Sequence, residues 1–132
     1  MNATTPAEVA HGVHTAIASY TQALDAGRTD DIVALFSADG SSEIAGVGVF
    51  EGHEALRAAY AGMIPTAPQR HMTANTVITS RSADEAAATS DLVFLLRGEN
   101  GWAVQLLGRY EDLLVRDGQT WLFRSRKLSL TM

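Results

Sequence analysis

The sequence predicts an α+β fold on three observations. Helical periodicity is confined to residues before about 63, and strand-like alternation fills nearly everything after residue 70. Two hairpin dipeptides, Asn100-Gly101 and Asp117-Gly118, divide that second half into consecutive strands. Helices first and strands last point to an antiparallel sheet rather than an alternating α/β chain.

Met1 to Thr5 reads as a polar, flexible tail. Pro6 suits a first helical turn and Thr5 can cap it. Val9, Val13, Ile17, Tyr20 and Leu24 recur at helical spacing, so residues 6–26 read as one long amphipathic helix, with Gly27 where a glycine ends one. Thr29 is placed to cap a second, short helix, with Asp30 and Asp31 at its positive end and Ile32, Leu35 and Phe36 turned inward. Ala38-Asp39-Gly40 reads as the turn that stops it. Ser42 to Phe50 resembles a strand or hairpin loosened by Gly46 and Gly48. Glu51-Gly52 then leads into a third helix, about 53–63, carrying Leu56, Tyr60 and Met63. Pro65 and Pro68 make 64–69 a loop. Four strand-like segments follow, at about 70–80, 85–98, 101–116 and 119–130. With no repeat, low-complexity tract or second domain in view, residues 1–132 are expected to form a single domain.

Composition narrows the function. A chain of 132 residues can bury one substantial core, and 46% apolar with 19% charged residues argues against disorder. The net charge of −5 makes nucleic acid or an anionic membrane surface an unfavourable partner. There is no cysteine, which excludes disulfides, thiolate metal sites and cysteine nucleophiles. No apolar run approaches the ~20 residues that span a bilayer, and Met1 to Glu8 lacks the pattern of a secretion signal. A soluble, cytoplasmic protein is expected. His11, His14 and His53 are spaced wrongly for a metal site with His71, and no glycine-rich phosphate loop follows a strand. Neither metal nor cofactor is expected.

The stretch Arg70 to Ile78 is the most informative for function. In a strand every second side chain shares a face, which groups His71, Thr73 and Asn75 against Met72, Ala74 and Ile78. Three polar groups in register mark either a solvent face or a polar-lined pocket. His71 can move protons near neutral pH; a hydrogen-bonded structural histidine is the alternative. Asp25 lies in the last turn of the first helix, an unfavourable end for an anion, so it is either a solvated helix-end aspartate or a residue with a tertiary role. Tyr20 belongs to the core face of that helix, with a hydroxyl in reach of a ligand. Asn75 can bond a carbonyl or hydroxyl, and Tyr110 follows Gly108 on one strand face, where the glycine would leave room for a ligand. Trp102, Trp121 and Phe123 read as core or interface, and Asp91 as either an inward polar group or an exposed one.

Four pieces of local sequence add a resemblance: Tyr20 to Asp31 with Leu35-Phe36 behind it, Phe50-Glu-Gly52-His-Glu-Ala55-Leu56, Arg70-His71-x-x-x-Asn75, and Gly108-Arg109-Tyr110-x-Asp112 followed by Trp121-x-Phe-x-x-Arg126. In order and spacing they resemble the SnoaL-like branch of the nuclear transport factor 2-like superfamily, over roughly residues 7 to 130. The resemblance implies a cone-shaped α+β barrel, its curved antiparallel sheet wrapped around the long first helix to leave a deep pocket. Relatives include scytalone dehydratase, ketosteroid isomerase and polyketide cyclases. His71 is at the place resembling the catalytic histidine of scytalone dehydratase, and Asp25 matches an aspartate that orients it. Phe50 joins Tyr20, Asn75 and Tyr110 as a substrate-binding candidate. The second histidine of scytalone dehydratase has no counterpart here, nor is the carboxylate pattern of ketosteroid isomerase clearly present, so fold alone does not supply a reaction.

Two readings follow. One is a cofactor-independent lyase, isomerase or cyclase acting on a small hydrophobic molecule through an Asp25–His71 acid/base dyad. The other is a non-catalytic small-molecule-binding or interaction domain with the same cone; a small structural subunit of an oxygenase is a third. Leu and Val on the outer face of the 85–130 meander predict a homodimer through the sheet.

Overall fold

The computed structural model describes residues 4–131, so residues 1–3 of the expected tail lie outside it. Helix α1 runs Pro6–Ala26. Thr5 accepts the Glu8 N–H while the Glu8 carboxylate accepts the Thr5 N–H, a reciprocal cap at the N-terminus. Gly27, left-handed at φ 71°, ends the helix with its N–H on the Leu24 carbonyl. The short helix α2 is Thr29–Val33. Arg28 rather than Thr29 sits at its cap position, and the Thr29 hydroxyl is buried without a partner among the described residues. Helix α3 is Gly52–Ala61.

Six strands follow the expected order with one earlier start: β1 Phe36–Ile44, β2 Gly48–Glu51, β3 Gln69–Arg81, β4 Glu85–Gly98, β5 Gly101–Asp117 and β6 Thr120–Thr131. They form one curved sheet ordered β2-β1-β6-β5-β4-β3, open at both edges. All pairings are antiparallel except β1 with β6, which is parallel. Gly101 and Gly118, both at positive φ, open β5 and turn it into β6, as the two dipeptides require. α1 crosses the inner face against β3, β4 and β6, burying Val9, Val13, Ile17, Tyr20 and Leu24. Gly12 permits the closest approach, since a Cβ there would lie 2.0 Å from Cδ1 of the buried Trp121.

Two local expectations are corrected. Ala38-Asp39-Gly40 is no turn: Phe36 already belongs to β1, and the register against β6 slips between Phe36 and Ser41. Gly40 permits that bulge, because a Cβ would meet the Ser37 and Phe123 carbonyl oxygens at 2.9 Å. The alternation through β3 also breaks. Register against β4 shifts between Ala74 and Val77, with Asn75 at φ 54°, so His71 and Thr73 face inward, followed by Thr76 and Ile78. Asn75 is carried to the exposed side, and Ile78 packs on the core instead of opposite it. Among the described residues no helix is long and apolar enough to cross a membrane.

Candidate functional site

The inner sheet face is built in rows fixed by strand register. One row pairs Ser42 of β1 with Arg126 of β6, and Arg126 with Asp112 of β5. The next pairs Leu128 with Tyr110, and Tyr110 with Ser90. A third, toward the open end, pairs Leu106 with Phe94, and Phe94 with His71. Between these rows and α1 lies a cavity of about 70 Å³, walled by Tyr20, Ser42, His71, Tyr110 and Arg126 and closed by apolar side chains such as Met63 and Leu128.

Asp25 and His71 meet at one side of it. The last turn of α1 delivers the Asp25 carboxylate to the start of β3, where it accepts three N–H groups. These are His71 Nδ1 to Oδ1 at 2.6 Å, the His71 backbone N–H to Oδ2 at 2.8 Å, and Gln69 Nε2 to Oδ1 at 3.1 Å. The side-chain exposures of 14% and 11% place the pair at the edge of solvent. A carboxylate can only accept, so the network assigns the imidazole proton to Nδ1 and leaves the Nε2 lone pair free. Phe94 stacks on the ring at a centroid distance of 4.4 Å and fixes its plane. Burial holds His71 below the usual histidine value of 6.5, against the opposing pull of Asp25, and Arg126 pushes the same way as burial. The ring is therefore neutral at pH 7 and able to accept a proton.

The cavity floor was not foreseen. Arg126 and Asp112 are buried at 1% and 2% exposure, with Nε 3.1 Å from Oδ1. That separation suits an ion pair, but the alignment misses a directed hydrogen bond, and among the described residues no partner satisfies Nη1, Nη2 or either Asp112 oxygen. Aromatic faces hold the guanidinium instead, with Cζ 3.5 Å from the Tyr110 ring centroid and 4.2 Å from that of Tyr20. Burial pushes the Asp112 carboxyl up to about 6, outweighing the attraction of Arg126. Beside the guanidinium, Tyr20 and Tyr60 hydroxyls lie 2.6 Å apart and the Ser42 hydroxyl 2.8 Å from that of Tyr60. Burial raises the pKa of Tyr20 and Tyr60, and that of Tyr110 to about 12, so all three keep their protons.

The sequence-derived candidates thus divide. His71, Asp25, Tyr20 and Tyr110 converge on the cavity or its wall. Asn75 does not: its amide donates to Asp91 Oδ2 at 2.8 Å on the outer face, where Asp91 also approaches Arg109. Phe50, half-buried on β2, packs against the core and is not in the cavity wall. Gly108 makes room for Leu128 rather than a ligand, since a Cβ there would stand 2.8 Å from Leu128 Cδ1. Asp112 was visible in principle, because it shares strand parity with Tyr110 and Leu114. Arg126 was hidden by a register shift of β6 against β5, between Phe123 and Ser125. Asp25 and His71 stand as a pair, with no third metal-ligating group beside them among the described residues.

Comparison with known proteins agrees with this architecture. Solved structures with the same fold include a Mycobacterium tuberculosis protein of unknown function, 22% identical with TM-score 0.87, covering 98% of this chain and 78% of that one. A proposed scytalone dehydratase from Novosphingobium aromaticivorans is 26% identical with TM-score 0.82, covering 93% and 84%. Aln2 from a Streptomyces species is 22% identical with TM-score 0.83, covering 98% and 94%. No curated protein matches. The model of the SnoaL-like domain matches residues 6–127. By that match the chain belongs to the SnoaL-like domain family, whose fold suits a small-molecule-binding or catalytic domain.

Proposed function

We propose that this domain is a cofactor-independent proton-transfer enzyme, a lyase, isomerase or cyclase, acting on a small hydrophobic molecule. The 2.6 Å contact between Asp25 and His71 at the cavity edge carries the reading. His71 Nε2 takes a proton from a carbon next to a carbonyl. The C–H bonding pair moves into the ring or chain as an enolate, and the imidazolium is held by Asp25. The same proton then returns to a leaving hydroxyl, giving dehydration, or to another carbon, giving isomerisation. In cyclisation the enolate carbon instead adds to a second carbonyl of the same molecule, whose π pair moves onto its oxygen and takes the proton back from the imidazolium. Such general acid–base help is worth about 10²–10⁴-fold.

A substrate need not be known to test this. A panel of cyclic and aryl ketones is incubated with the protein in D₂O and α-hydrogen exchange is followed by mass spectrometry. Exchange is expected with the wild type and lost in His71→Ala. Equal exchange in both proteins would overturn the reading. The small cavity favours a second reading, a binding domain without catalysis; ketones that bind but never exchange would establish it.

A further inference from the structure

We propose that the cavity floor is an oxyanion site, in which Arg126 and a neighbouring hydroxyl hold an anionic oxygen of the ligand. The guanidinium is the carrier. It is buried, it faces the cavity, and its two terminal nitrogens have no hydrogen-bond acceptor among the described residues. Buried N–H groups left unmade are rare, and a charged group completes them best with an anionic oxygen. Asp112 does not fill this role, because its contact is with Nε and is poorly aligned.

The hydroxyls supply the second donor. Tyr20, Tyr60 and Ser42 carry three O–H hydrogens but share only two mutual contacts. One hydrogen is therefore left over. It donates into the cavity from Tyr20 or Ser42, both in the cavity wall, whenever Tyr60 gives its own hydrogen to that same hydroxyl; it stays on Tyr60 only when Tyr60 accepts from both. The aromatic rings around Arg126 exclude water from its faces and fix the fork in place. The ligand class follows: a hydrophobic molecule with a carboxylate, or with a carbonyl or phenol oxygen that becomes anionic in the site. This rests on the proton-transfer reading only for the second source, since an enolate oxygen arises there only if His71 removes the proton.

The test uses the whole protein at pH 8, where His71 is neutral and Arg126 is the cation facing the cavity. Acetate and its neutral isostere acetamide are titrated separately while the His71 and Tyr110 resonances are followed by NMR. Acetate is expected to bind at least tenfold more tightly. The paired substitution Arg126→Gln with Asp112→Asn removes both charges together, avoiding an unpaired buried carboxylate, and should abolish the preference. No preference in the wild type, or an equal one in the double variant, would overturn the proposal. Phenol, un-ionised in bulk water at pH 8, separates the two sources: bound as its phenolate by ultraviolet difference absorbance, it supports an oxygen that ionises in the site. Bound as the neutral phenol while acetate binds, it limits the site to ready-made carboxylates. Acetate binding retained in His71→Ala keeps this site while ketone exchange fails independently.

Discussion

Asp25→Asn is the most decisive single change. The carboxylate accepts from His71 Nδ1, the His71 backbone N–H and Gln69 Nε2. An asparagine of the same shape has one acceptor oxygen and one donor nitrogen. The backbone N–H cannot reverse, so it claims the amide oxygen, and the amide NH₂ is left facing Nδ1. His71 then turns its Nδ1 lone pair to the amide and carries its proton on Nε2. The base is lost from the cavity with the ring in place. Net hydrogen bonds to a charged group are worth about 1.5–3 kcal/mol, so the loss of charge should lower stability by a few kcal/mol at most. Activity should fall about 10⁴-fold, the magnitude seen when a serine-protease histidine is left in the wrong tautomer. ¹⁵N-resolved NMR of the imidazole reads the tautomer directly, beside urea unfolding and the D₂O exchange assay. A proton still on Nδ1 in the variant, or undiminished exchange with Nε2 protonated, would refute the reasoning.

Gly12→Ala adds a Cβ 2.0 Å from Trp121. The overpacking cost of about 1–3 kcal/mol should exceed the helix-propensity gain of about 1 kcal/mol, and a raised melting temperature would contradict this. Asn75→Ala should cost about 1–2 kcal/mol in chemical unfolding, because asparagine tolerates the left-handed φ of 54° better than alanine and its amide bond to Asp91 is lost, yet leave ketone exchange unchanged. For pH, His71 sits below 6.5, so the unfolded chain takes up its proton first, and stability falls as pH drops below 6.5 toward the folded value. Asp112 acts oppositely: folded it keeps its proton up to about 6 against 3.8 in the ordinary carboxyl, so it adds stability as pH falls through that window. Asp112→Asn should therefore steepen the acid loss, measured by urea unfolding between pH 4 and 8. We also propose that a second copy covers the outer face, where Met72, Val93 and Leu107 align across three strands and Val104 is exposed nearby. Sedimentation should show a dimer that Leu107→Glu dissociates; a wild-type monomer at micromolar concentration would exclude it.

The sequence made the elements legible where local signals were strong. Thr5, Pro6 and Gly27 bound α1 to the residue, and the Asn-Gly and Asp-Gly dipeptides set both hairpins. Contact between Asp25 and His71 lay beyond local reading, because it joins a helix end to a strand start 46 residues later; the family resemblance supplied it. What failed was strict alternation. A bulge at 74–77 moves Asn75 from the His71 face to the outside, and a register shift between Phe123 and Ser125 disguises Arg126 as a surface residue. Both faults have one physical source. A sheet that curves around a helix must drop residues from its ladder, and each dropped residue exchanges the faces beyond it.

That curvature also explains why the floor and the base lie in one cavity. A hydrophobic pair would fill the space of Arg126 and Asp112 with equal or greater stability, since buried ion pairs seldom repay their desolvation. Each buried group without a partner costs about a further 1–3 kcal/mol, and this pair leaves both Arg126 terminal nitrogens unmatched among the described residues. The cost falls on the wall the cavity shares with neutral His71, within the field of the same cation. A base kept neutral by burial and a cation kept unsatisfied by burial are complementary. As the first takes a proton from a bound ketone, negative charge develops on the oxygen, and the second lacks only that oxygen. Moving charge from ligand to site leaves the net charge of the cavity unchanged, so little reorganisation is needed as it forms. Loss of Arg126 should therefore lower turnover more than it weakens ground-state ketone binding, whereas a purely structural pair would weaken both together.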